Sequence, residues 1–121
     1  MNHAQAMVEL GRLLASRGRF PEAMKCYSRA IGFDPEYPGA YQAMGDVLCE
    51  IGSYWEAASE YRDSLVYEPA NPDTLTALGR CYAMIGEDGQ ARAAFLRALE
   101  LEPDHAEARR ELAAIEMGKA A

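Results

Sequence analysis

The chain has 121 residues, half of them apolar and 26% charged, and carries a net charge of −7. That size and balance fit one globular domain, not two independent cores and not a disordered tail. An acidic chain lacks the cationic footprint that polynucleotides require, and its apolar runs stop far short of the ~20 residues of a membrane-spanning helix. Met1-Asn2-His3-Ala4 shows no basic-then-apolar leader, so the expectation is a cytoplasmic protein with no nucleic-acid partner and no membrane insertion.

Residues 4–37 read as two helices. Met7, Leu10 and Leu14 recur at helical spacing, and Gly18 follows where a left-handed C-terminal residue suits glycine. A second helix carries Ala23, Tyr27, Ala30 and Ile31 on one face and must stop ahead of Pro35. Residues 38–71 and 72–105 repeat this order without insertion. Gly11, Gly45 and Gly79 form one column in this register; Gly18, Gly52 and Gly86 form another, as do Ala23, Ala57 and Ala91. The same step links Tyr27, Tyr61 and Phe95, and links Pro35, Pro69 and Pro103. Asn71-Pro72-Asp73 restarts the chain as N-cap, first-turn proline and helix-start acid.

The net charges of the three repeats are +1, −5 and −3. Residues 106–117 continue the register as one more helix, with Ala108, Leu112 and Ile115 as a narrow apolar stripe. They read as the cap that hides the last hydrophobic face, whereas no equivalent cap precedes residue 4. Nothing in the pattern suggests a strand. Glycine inside a helix costs about 1 kcal/mol against alanine, so the Gly11, Gly45 and Gly79 column implies close approach. The expected neighbour is the alanine of the second helix, with Tyr27, Tyr61 and Phe95 filling the space beside it.

These residues resemble the tetratricopeptide repeat (TPR) family, whose pattern runs W-x2-L-G-x2-Y, A-x3-F, A-x4-P. The third copy matches as Leu75, Leu78, Gly79, Tyr82, Ala91, Phe95, Ala98 and Pro103. The second has Ser64 in the later alanine slot, and Met7, Tyr41 and Leu75 stand where the family has tryptophan. The resemblance implies an all-α, right-handed superhelical α-solenoid of antiparallel helix pairs, seven helices in a single domain spanning residues 1–121. It also implies a protein-protein interaction adaptor whose first helices line a concave groove that holds a peptide or partner segment.

Mapped onto that groove, Val8, Gln42, Thr76 and Arg110 form one facing column. Arg12, Asp46 and Arg80 form a second, and Ala15, Cys49 and Ala83 a third. Arg12, Asp46 and Arg80 read either as a ladder of ion pairs between adjacent helices or as anchors for a peptide. Arg80 with Arg110 suggests two guanidinium groups sharing an anionic ligand group. Family members that grip acidic chaperone C-termini use a clamp of lysine, asparagine and arginine. The matching places here hold Val8, Arg12, Ala43, Asp73 and Ala77, so that activity is not expected. Trp55 aligns with Pro21 and Gly89, a column with no core requirement; it reads as lying flat over a neighbour or as anchoring a second interface.

Cys26, Cys49 and Cys81 are odd in number, widely spaced and without a C-x-x-C, so they read as reduced thiols and not as a disulfide framework or metal site. No phosphate-cradling loop, nucleophile–base set or H-E-x-x-H appears, so neither catalysis nor a cofactor is expected. Two alternatives to the adaptor remain: a self-assembling scaffold, hence a homo-oligomer, motivated by the uncapped first repeat at +1 against the acidic later ones, and an accessory module of a larger protein.

Overall fold

The computed structural model describes residues 1–120. Seven helices follow one another: α1 (His3–Ser16), α2 (Phe20–Phe33), α3 (Pro38–Glu50), α4 (Tyr54–Tyr67), α5 (Pro72–Met84), α6 (Asp88–Leu101) and α7 (Ala106–Ala120). Among the described residues there is no strand, and the fold is an all-α helical repeat. The last helix outruns the expected end at residue 117. The chain gathers into two compact units, Met1–Pro69 and Ala70–Ala121.

Each helix pair closes in the same way. Gly18, Gly52 and Gly86 take φ of 76°, 82° and 83°, the left-handed region that a side chain disfavours. The N–H groups beyond them donate back across the helix end, Arg19 to the Leu14 carbonyl at 3.0 Å, Ser53 to Leu48 at 2.8 Å and Glu87 to Tyr82 at 2.8 Å. These bonds satisfy carbonyls that would otherwise lack partners. The second helices end at Asp34, Glu68 and Glu102, whose φ of −147°, −142° and −141° are the extended geometry that the following prolines impose.

Within the first unit α1 pairs with α2 and α3 with α4, and α3 packs against α2 and α1. Within the second, α5 pairs with α6, and α7 lies on α6 with a smaller contact to α5. The rings of Tyr27, Tyr61 and Phe95 are fully buried. They cover the glycine column directly: a Cβ at Gly45 would sit 2.6 Å from the Tyr61 ring, and one at Gly79 2.5 Å from the Phe95 ring. The close approach is therefore ring on backbone. This corrects the expectation that the alanines make the contact with the rings beside it.

Helix starts divide into side-chain-capped and uncapped. Asn2 and Gln5 form a reciprocal capping box on α1, and Asn71 accepts the Thr74 N–H at 3.1 Å on α5. His105 stands one repeat on from Asn71 and caps α7, its Nδ1 accepting the Ala108 N–H at 3.1 Å. With Nδ1 as acceptor, the neutral ring carries its proton on Nε2, which donates to Asp73 Oδ1 at 2.8 Å. That bond ties the start of α7 to the start of α5.

Candidate functional site

A cleft of about 440 Å³ opens in the first unit between α1 and α3, the leading helices of the first two repeats. Small side chains at Ala15 and Ala43 leave the space open, and Phe20 of α2 closes one side. Tyr27, Ala43 and Val47 are buried and form its floor; Arg12, Ser16, Asp46 and Glu50 are exposed around its rim.

Two of the charged groups on the rim have partners within the chain. Arg12 lies 4.0 Å from Glu9, one turn earlier on its own helix. Asp46 Oδ1 accepts the hydroxyl of buried Tyr61 at 2.6 Å, and Cys49 Sγ lies 3.6 Å from the same hydroxyl. Burial first, then the hydrogen bond to the Asp46 carboxylate, pushes the Tyr61 hydroxyl far above its usual range, so it remains a donor that orients Asp46. The Tyr27 hydroxyl is also raised, chiefly by burial; Arg12 opposes that shift and Asp46 adds to it. Both rim charges therefore act on the ring that floors the cleft.

Of the groove residues expected from sequence, the structure brings Arg12 and Asp46 to one cleft. Val8 and Thr76 do not face an open groove: both are buried and offer no surface to a partner. Burying an aliphatic side chain such as Val8 is favourable by itself, and the Thr76 hydroxyl is satisfied within its own helix by donating to the Pro72 carbonyl at 2.7 Å. Gln42 and Cys49 are half-buried on α3 and lie outside the cleft lining. In the second unit Arg80 is engaged by Glu107 of α7 at 2.6 Å, one turn before exposed Arg110, so an acid already occupies the guanidinium expected to share a ligand with Arg110.

Sequence reasoning missed Glu50 and Phe20 as lining residues. Glu50 was within reach, since it stands one helical turn beyond Asp46. Trp55 is 61% exposed on α4, as a column with no core requirement allows. Among the described residues, no helix is long and apolar enough to cross a membrane.

A family model described as TPR repeat matches residues 11–48, and one described as Tetratricopeptide repeat matches residues 72–115. The chain belongs to the tetratricopeptide repeat family. Among solved structures, the first TPR of Spaghetti (RPAP3) bound to the HSP90 peptide SRMEEVD superposes with a TM-score of 0.94, at 23% identity over 98% of this chain and 94% of that one. The second TPR domain of human RPAP3 in complex with the HSP70 peptide SGPTIEEVD gives 0.89, at 22% identity over 94% and 95%. MamA gives 0.91, at 19% identity over 98% of this chain and 70% of that one. Identities this low establish the fold. No curated protein sequence matches the chain.

Proposed function

We propose that this chain is a protein-interaction module that holds an extended segment of a partner protein in the α1–α3 cleft. The observation that carries this reading is the cleft itself: a buried floor of Tyr27, Ala43 and Val47 beneath a rim with a guanidinium on α1 and two carboxylates on α3. An apolar floor with a few convergent polar groups is the usual build of a recognition site. The segment it fits places a small apolar side chain on the floor, a basic residue toward Asp46 and Glu50, and a carbonyl or carboxylate toward Arg12.

The peptide-bound relatives hold acidic chaperone tails, but the corresponding places here argue for a different ligand. Val8 and Ala43 are buried, and Asp73 is an acid engaged by His105. Arg12 is the sole cation among the five.

The test is fluorescence polarisation against a peptide set graded from acidic to basic, followed by the same titration on variants. Arg12→Ala and Glu50→Gln should each weaken the best basic peptide about tenfold, the loss of one charge-assisted bond. Asp46→Asn, which keeps an acceptor for Tyr61, should do the same, and Trp55→Ala should change nothing. A preference for acidic peptides, or affinity that falls with Trp55→Ala and not with the cleft variants, would move the site elsewhere.

A further inference from the structure

The repeat register exposes a mismatch between the two ends of the chain. Leu10, Met44, Leu78 and Leu112 occupy one column, and Leu13, Val47, Cys81 and Ile115 another. Where α3 packs on α2 and α1, Met44 and Val47 are 8% and 2% exposed. Their mates on α1, Leu10 and Leu13, are 45% and 53% exposed, and Phe33 of α2 is exposed as well. So α1 presents to solvent the apolar pair by which α3 docks onto a preceding helix pair.

In the second unit that docking seat is on α6, and α7 occupies it with the mates from the same columns, Leu112 and Ile115. These are half-buried, and among the described side chains of α7 only Ala108 is a fully buried apolar one. Otherwise α7 is held by polar contacts: Arg80–Glu107, Arg92–Glu116 and His105–Asp73. The two Arg–Glu pairs are exposed, and exposed ion pairs hold weakly. Helix α1 brings Met7, Leu10, Leu13 and Leu14 in the register where α7 brings Arg109, Leu112, Ile115 and Glu116, so it is the more apolar of the two.

We infer that the seat of α7 on α6 is also the docking site for α1 of a second copy, and that α7 is a displaceable placeholder that limits head-to-tail assembly. Charge supports this occupant over an unrelated helix. The repeat that offers α1 has a net charge of +1, and the repeat that offers the α6 seat has −3, so the two ends that meet are opposite in sign although each whole chain carries −7. A contact between two different surfaces of the same chain leaves one of each surface unmet at the ends of a pair, so the product is a head-to-tail series, open or closed as a ring, and not a symmetric dimer. Neither surface includes the rim charges of the α1–α3 cleft, so assembly and peptide holding fail independently.

Sedimentation velocity on the full chain over a wide concentration range tests this. Wild type should show a mass distribution that keeps growing with concentration. Leu112→Ser with Ile115→Ser, which loosens the placeholder, should start the same growth at about tenfold lower concentration. Leu10→Glu with Leu13→Glu should leave a monomer in either background, with circular dichroism confirming the helical content; Leu13→Gln alone is the milder version should the double change unfold the first repeat. Association that stops at a dimer, or that ignores the α7 changes, would replace this assembly with an α1-to-α1 contact. Monomers from both wild type and the loosened variant at every concentration would overturn it.

Discussion

Two hydroxyls show how the same slot can be filled well or badly. Ser64 replaces the alanine found at residues 30 and 98, is buried on α4 and donates to the Pro38 carbonyl of α3 at 3.0 Å. Thr74 sits in the column that holds Ala40 and Ala108, is fully buried, and its Oγ1 finds no hydrogen-bond partner among the described residues. Ser64→Ala should therefore cost about 1 kcal/mol, and Thr74→Val should gain a similar amount by removing an unmet polar atom, both read by urea denaturation. The glycine column makes a harder demand. Gly79→Ala adds helix propensity, yet its Cβ falls into the Phe95 ring, so the net result should be a loss of about 1–3 kcal/mol that Phe95→Leu partly restores in the double mutant. Glu60 adds a pH-dependent case. Burial, with a further contribution from Asp63, raises its carboxyl above the usual range, and its Oε2 has no hydrogen-bond partner among the described residues. A raised folded value means the protonated form is favoured in the folded state. That stability is complete below the ordinary glutamate range and is lost as pH climbs through the folded value. Glu60→Gln should thus melt higher than wild type at neutral pH, with the gap closing as the solution is acidified.

Among the helices, α7 differs from the rest in how it is fastened. Six helices are pinned to a partner by a ring-on-glycine contact, Gly11 with Tyr27, Gly45 with Tyr61 and Gly79 with Phe95. The corresponding place on α7 is Ala113, an exposed alanine and not a glycine under a ring. Its start depends on His105, so His105→Ala should remove the cap and the bond to Asp73 together, costing about 1 kcal/mol. Amide hydrogen exchange should show faster exchange confined to α7, with α5 and α6 unchanged; uniform acceleration along the chain would mean that α7 opens only with global unfolding. Helix existence and order were legible in the sequence because glycine, proline and ring columns mark each turn and stop. The fastening of α7 by histidine was not, since an imidazole as N-cap lies outside the usual Ser, Thr, Asp and Asn repertoire. Depth was likewise illegible. Helical spacing puts Val8 and Arg12 one turn apart, but which of them is buried depends on neighbours that a single-helix projection does not contain.

At the scale of the whole molecule, charge is the least evenly distributed quantity. The middle repeat has one basic and six acidic residues, and their mutual repulsion opposes folding. Added sodium chloride should raise the melting temperature by screening it, an effect that flattens once the screening length falls below the spacing of the carboxylates. The fold class could be read directly from the five repeat columns, and the site only in part. Arg12 and Asp46 were reached through the family's groove geometry, whereas Glu50 and Phe20 complete the cleft from positions that the column mapping passed over.

The ring-on-glycine contacts also set how this chain can change length. One residue inserted inside α3 after Gly45, or inside α4 before Tyr61, turns the rest of that helix by about 100° about its axis and carries the ring off its glycine. An insertion just past Pro35 or Pro69 falls outside every hairpin and leaves all three contacts intact. Small insertions should therefore be tolerated at those two junctions and rejected within those helix segments, and the chain can lengthen its stack only in whole steps of 34 residues.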